Sequence, residues 1–148
     1  MRFLFHLFLA LTTSTQSVAQ GSDKAPPPAA VAHFTKNHPN ATKVRWELGR
    51  KNFRAEFRIK DENHRAVYTP EGEWVRTEHD IPRSELPAAV KAAISTSAYR
   101  TWDIDDVEQH VTTEHPNLYK ISLENDLKKA DLHYTPEGKM VREQVKPK

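Results

Sequence analysis

The 148-residue chain contains no cysteine, so it can form no disulfide and offers no thiol as a nucleophile or metal ligand. It has four glycines, Gly21, Gly49, Gly72 and Gly138, too far apart to build a loop that cradles phosphate. Neither sign of charge dominates: 22 Lys and Arg face 20 Asp and Glu, a formal net charge of +2. A nucleic-acid binder needs a concentrated basic surface, and this balance gives no reason to expect one. Long hydrophobic runs are missing too. The most apolar stretch, Phe3 to Leu11, is broken by His6 and falls far short of the ~20 residues that a membrane span requires.

That short run has another reading. Arg2 precedes it, small and polar residues follow, and Ser17-Val18-Ala19 stands before Gln20. Small residues at the first and third places of such a triplet fit signal peptidase cleavage. The expected organisation is a signal peptide over residues 1–19, a polar and proline-rich flexible linker over 20–27, and a mature domain over 28–145. The protein is expected to be periplasmic or secreted. A mature chain of this size can bury one modest core.

What the sequence does have is duplication. Tyr68-Thr69-Pro70-Glu71-Gly72 recurs as Tyr134-Thr135-Pro136-Glu137-Gly138, and Pro28-Ala29-Ala30-Val31 recurs as Pro87-Ala88-Ala89-Val90. The offsets, 66 and 59, differ by seven, so the second copy carries seven extra residues between its two motifs. Ser95 to Asp103 is the expected site, with a longer helix and a larger exit loop. The copies are placed at residues 28–82 and 83–145.

Each copy opens on a helical pattern. Pro28 and Pro87 suit a first turn, where a missing N–H costs nothing. Val31 and Phe34, then Leu86, Val90, Ala93 and Ile94, recur at helical spacing. Pro39 is expected to stop the first helix, and Ser84 to cap or precede the second. Strand patterns follow. Phe53 to Lys60 alternates apolar and charged residues, as a strand with one buried and one wet face must. Tyr119 to Glu124 alternates likewise, Val44 to Leu48 reads as an earlier strand, and Ile104 to Val111 is its weaker mirror. Pro70-Glu71-Gly72 reads as a hairpin turn with Gly at a positive φ, joining Val67-Tyr68 to Trp74-Val75. Leu132 to Tyr134 and Met140-Val141 repeat it. The fold class is α+β: a helix and four antiparallel strands, twice, with helices on the apolar face of the sheet and water on the other.

The order Pro-Ala-Ala-Val helix, Val44-x-Trp46-Glu47 strand, Phe53-x-Ala55-Glu56-Phe57 strand, aromatic-x-Pro-x-Gly turn, Trp74, Ile81-Pro82 and Glu85-Leu86-Pro87 resembles the PepSY-like domains. Those are exported bacterial proteins similar to β-lactamase inhibitor proteins, and the resemblance covers about residues 28 to 145. It implies a single eight-stranded antiparallel sheet and a binding or inhibitory role.

Catalytic motifs are lacking. There is no Gly-x-Ser-x-Gly elbow, and Asp105-Asp106 reads as solvated charge at a strand edge. His33, His38, His64, His79, His110, His115 and His133 show no paired metal-ligand spacing and read as scattered surface histidines, although His110 and His115 flank a hairpin. No catalytic, cofactor or metal site is assigned, and the protein is expected not to be an enzyme. The candidate surface is the wet face of the sheet. Arg54, Glu56, Arg58 and Lys60 from the first copy, and Lys120 and Glu124 from the second, are expected to face a protein or peptide partner. Trp46 is expected in the core with Val44 and Leu48, Trp74 in the core or as a surface anchor, and Trp102 as an exposed aromatic in the expansion. The alternatives are a small-ligand or metal sensor using a cleft between the two copies, and a secreted hydrolase of unfamiliar type.

Overall fold

The computed structural model describes residues 25–148. The expected signal peptide and most of the linker lie outside them. Helix α1 (Pro28–Asn37) is followed by strands β1 (Thr42–Leu48), β2 (Phe53–Ile59), β3 (Glu62–Tyr68) and β4 (Trp74–Asp80). A short 3-10 turn (Arg83–Glu85) leads to helix α2 (Ala88–Thr96) and strands β5 (Asp103–Thr112), β6 (Leu118–Glu124), β7 (Lys128–Tyr134) and β8 (Met140–Pro147). All eight strands form one antiparallel meander in sequence order. Among the described residues, no helix is long and apolar enough to cross a membrane.

Pattern and register together decide which face is buried. Phe53, Ala55 and Phe57 on β2 pair with Tyr68, Ala66 and His64 on β3. Beneath α1 they join Ala30 and Phe34, which lie one helical turn apart, in a continuous core. The second unit repeats this: Val90 and Ile94 of α2 cover Val107, Ile121, Leu123, Ala130, Leu132 and Tyr134. Full burial of each large apolar side chain contributes about 1.5–3 kcal/mol. Among the described residues, no helix covers the opposite face of the sheet.

The two repeated motifs turn out to be halves of one contact. Each Tyr-Thr-Pro-Glu-Gly turn closes with the same bonds: Thr69 N–H to Glu73 O at 2.8 Å and Gly72 N–H to Thr69 O at 3.0 Å, then Thr135 N–H to Lys139 O and Gly138 N–H to Thr135 O at 2.9 Å. Gly72 and Gly138 take φ values of +96° and +82°. Gly72 sits against Ala29 and Ala30, and Gly138 against the backbone of Ala89. The turn glycine and the alanines of the helical motif are therefore kept together because they pack together.

Three expectations are corrected. Helix α2 is no longer than α1, because Ser97 takes an extended conformation and ends it; the exit segment 97–102 is only slightly longer than 38–41, and strand β5, at 10 residues against 7 for β1, takes more of the expansion. Lys60 is not on the wet face: Lys60 and Asp61 have φ values of +48° and +69° and form the tight β2–β3 turn. Val44 and Leu48 are exposed, since β1 is an edge strand with an irregularity between Thr42 and Arg45, where Lys43 has φ +52°. Only Trp46 of that trio packs inward, against Phe34 and Tyr68. Along the boundary between the units, β4 and β5 pair through five residues each, so the sheet is continuous there.

Candidate binding face and its buried charge cluster

Successive residues of a strand point to opposite faces, so the register places the uncovered side chains. On β3 these include Arg65, on β4 Arg76 and Glu78, on β5 Glu108 and His110, and on β6 Lys120. They meet at the middle of the sheet, across the boundary between the two units. Glu78, Glu108 and His110 are only 4–6% exposed although no helix covers them. Their neighbours bury them.

The cluster is a closed electrostatic network. Arg65 Nε lies 2.7 Å from Glu78 Oε1, and its guanidinium also reaches Glu108 Oε1 at 3.4 Å. Arg76 Nε donates to Glu78 Oε2 at 2.8 Å. His110 Nε2 stands 2.6 Å from Glu108 Oε2 and 3.4 Å from Glu78 Oε2, and Lys120 Nζ is 3.3 Å from Glu108 Oε2. Burial alone would push the Glu108 carboxyl up. The His110 hydrogen bond and the Lys120 charge outweigh it and hold Glu108 at about 2. Desolvation lowers the Arg65 guanidinium, but Glu78 and Glu108 overcome that and raise it.

The ligand atoms of Glu78, Glu108 and His110 lie within 4.8 Å of one another, close enough to hold a cation. Two carboxylates facing Arg65, Arg76 and Lys120 are already neutralised, however, so a divalent ion there would meet three fixed positive charges. Asp80, Asp106 and Glu108 form a second acidic group. Burial, with Glu108 and Asp80 as like charges, raises the Asp106 carboxyl.

Around the cluster lies a shallow concavity of about 720 Å³, bordered by Val75, Thr112, His115, Leu118, His133 and Arg142. Burial, then His110, Arg142 and Lys120, push His133 down to about 4, so it is neutral at ordinary pH. Arg142 is exposed. A second concavity of about 430 Å³ on the first unit is lined in part by Arg45, Glu56 and Arg58.

The residues singled out from the sequence distribute unevenly. Arg54, Glu56 and Arg58 stand on the open face of β2, with Arg54 paired to Glu47 at 3.2 Å and Glu56 to Arg45 at 2.7 Å. Lys120 belongs to the cluster. Glu124 lies toward the far end of β6, paired with Lys129 at 3.0 Å and Lys148 at 3.2 Å. Trp102 is not exposed as expected: it is half-buried, edge-on to Tyr99 at 5.0 Å, and packs on the second core. Nor are the histidines scattered on the surface. His110 is buried in the cluster, and His38, Phe57, His64 and His79 form a run of ring contacts at 4.7, 5.4 and 4.8 Å, the last two stacked. The sequence reading missed Glu78, Glu108 and His110 because they read as ordinary wet-face residues. The signal available was their alternation with Thr77, Val107 and Gln109, which places all three on one face.

The beta-lactamase-inhibitor-like, PepSY-like family matches residues 51–142, more than half of the chain. The chain belongs to the PepSY-like family. A BLIP-like protein of Bacteroides fragilis is similar at 26% identity and a TM-score of 0.71, over 83% of this chain and 89% of that one. A DUF2874 family protein of Bacteroides ovatus is 24% identical, with a TM-score of 0.71, over 84% and 89%. A protein of Bacteroides eggerthii ascribed to the periplasm is 24% identical, with the same TM-score, over 82% and 90%. These three proteins share the fold of this PepSY-like chain along nearly their whole length. No curated protein sequence matches the chain.

Proposed function

We propose that this PepSY-like protein is an exported, non-catalytic binding protein that holds a protein or peptide segment on its open sheet face. The observation that carries the reading is the Glu78–His110–Glu108 cluster. A sheet face that only meets water does not need three ionisable side chains fixed and almost fully buried at its centre. A buried, ion-paired polar centre ringed by charged side chains is how a protein interface is pre-organised. Chemistry fits the site poorly. A carboxyl held at about 2 is a weak proton acceptor near neutrality, and the ion pairs tie up both carboxylates. Binding on this face would occlude the surface it covers, which is the form an inhibitory role would take.

Photo-crosslinkers placed singly at Arg58, Arg142 and Lys36 test this in cells of the source organism. Arg58 and Arg142 lie on the open face of the two units, and Lys36 lies on α1 behind the sheet. The expected result is one defined adduct from the two face positions and none from Lys36. In an Arg58→Glu/Arg142→Glu variant that keeps its melting temperature, capture should fall about tenfold or more. Equal labelling from Lys36, or capture indifferent to the charge reversal, would sink the idea. Export has its own readout: the intact mass of the mature protein should correspond to a chain beginning at Gln20. A mass that retains Met1 contradicts the signal peptide.

A further inference from the structure

We infer that the hollow beneath the exit segment of α2 is a binding site for a small amphiphilic carboxylate, one carrying a compact aromatic or branched apolar body. The two units differ here. The first unit passes from helix to strand through 38–41, whereas the second takes 97–102 and brings Tyr99 and Trp102 with it. These rings meet edge to face at 5.0 Å and 83°, and form one wall of a pocket of about 380 Å³. Leu86 and Ile94, both buried, supply its floor. A pocket of that size and lining falls in the range that small organic ligands occupy.

The rim decides the charge of the guest. Arg83 from the 3-10 turn, Lys91 from α2 and Arg100 from the exit segment all line the pocket, and no acidic residue does. Lys91 Nζ donates to the Ser84 carbonyl at 2.8 Å and an Arg100 Nη to the Ser97 carbonyl at 3.5 Å, which tethers both heads close to the opening. Among the described residues none of the three cations forms an ion pair with a carboxylate. An anion resting over this rim would gain attraction without displacing an internal partner.

The cations sit on three separate elements, and no helix N-terminus of α2 opens into the pocket. Phosphate sites usually converge backbone N–H groups on three oxygens. This rim instead suits the smaller, planar head of a carboxylate, which a guanidinium can hold bidentately.

Isothermal titration of 4-phenylbutyrate against its neutral analogue 4-phenylbutan-1-ol, in low salt, tests the assignment. The acid should bind saturably and quench tryptophan emission, and the alcohol should bind at least about tenfold more weakly. Lys91→Gln and Arg100→Gln are exposed changes, and each should weaken the acid severalfold while leaving the alcohol unaffected. Trp102→Phe should abolish the fluorescence response, because Trp46 and Trp74 lie on the first unit and should be blind to the ligand. The inference is overturned if acid and alcohol bind equally. It is also overturned if binding survives the Lys91→Gln/Arg100→Gln double change, or if no saturation occurs below about 10 mM. These measurements do not involve the open sheet face, so their outcome is separate from that of the capture experiment.

Discussion

Gly138→Ala is expected to destabilise the protein by about 2–4 kcal/mol and lower its melting temperature by roughly 10 °C, although it adds one methyl at a surface turn. Two costs combine. The residue sits at φ +82°, where a side chain is strained by about 1–3 kcal/mol. The new Cβ would also lie 2.6 Å from the Ala89 carbonyl oxygen and 2.9 Å from its carbon, both of them backbone atoms of α2 that a rotamer change cannot move aside. The turn and the helix must separate, loosening α2 from Tyr134 and Leu132. Gly72→Ala, at the matching corner of the first unit, should cost less. Its Cβ would meet Ala29 Cβ and Ala30 N at 3.0 Å, which a shift of a few tenths of an ångström relieves. Denaturant unfolding of the two variants checks the order. If Gly138→Ala costs no more than Gly72→Ala, the turn-on-helix contact does not explain the duplicated motifs.

That contact also shows what a sequence can and cannot reveal about this fold. The repeated motifs identify the architecture directly, because a turn that needs positive φ and a helix start that needs small residues each leave a local signature. Strict alternation in Phe53 to Ile59 does the same for the central strands. The errors fall where a distant neighbour decides. Lys60 continues the alternation and so reads as strand, yet the chain reverses there. Val44 and Leu48 look like core, but an edge strand has a neighbour on one side only, and its irregular start turns Val44 away. Trp102 stands among polar residues and looks exposed, until Tyr99 and the second core close around it.

The charge cluster was illegible for a related reason. Glu78, Glu108 and His110 occupy ordinary wet-face positions, and nothing local says that Arg65, Arg76 and Lys120 converge on them from three strands. Their burial depends on pairing β4 with β5, a contact between the two repeats and not within either one. In the second unit the position matching Glu78 is Gln144, which is exposed on β8. Duplication therefore predicts the frame, while the centre of the open face exists only where one copy meets the other. Duplication does not predict the pocket beside Trp102 either, since it borders an exit segment longer than its counterpart 38–41 in the first copy.

Glu108→Gln tests whether that centre holds itself together by charge. The amide keeps the shape of the carboxyl but removes the negative partner of Lys120, and one of the two carboxylates beside each of His110 and Arg65. Breaking a buried ion pair on one side typically costs about 3–5 kcal/mol; here Arg65 retains Glu78, so a loss of roughly 2–4 kcal/mol is expected at pH 7. The pH dependence separates charge from packing. In the folded state Glu108 is held at about 2, below the ordinary 4.5 of the unfolded chain. Its stabilisation is thus fully present above 4.5 and is lost as pH falls through about 2. The gap between wild type and Glu108→Gln should shrink over that window and nearly close at its acid end. The Asp106 carboxyl, raised by burial and then by Glu108, should titrate lower in the variant once that like charge is gone. Urea unfolding at a series of pH values, with carboxyl titration followed by NMR, measures both effects. A stability gap that stays constant from pH 7 down to 2 would mean that Glu108 acts by shape and hydrogen bonding alone, and the open face would then have no electrostatic centre around which to organise a partner.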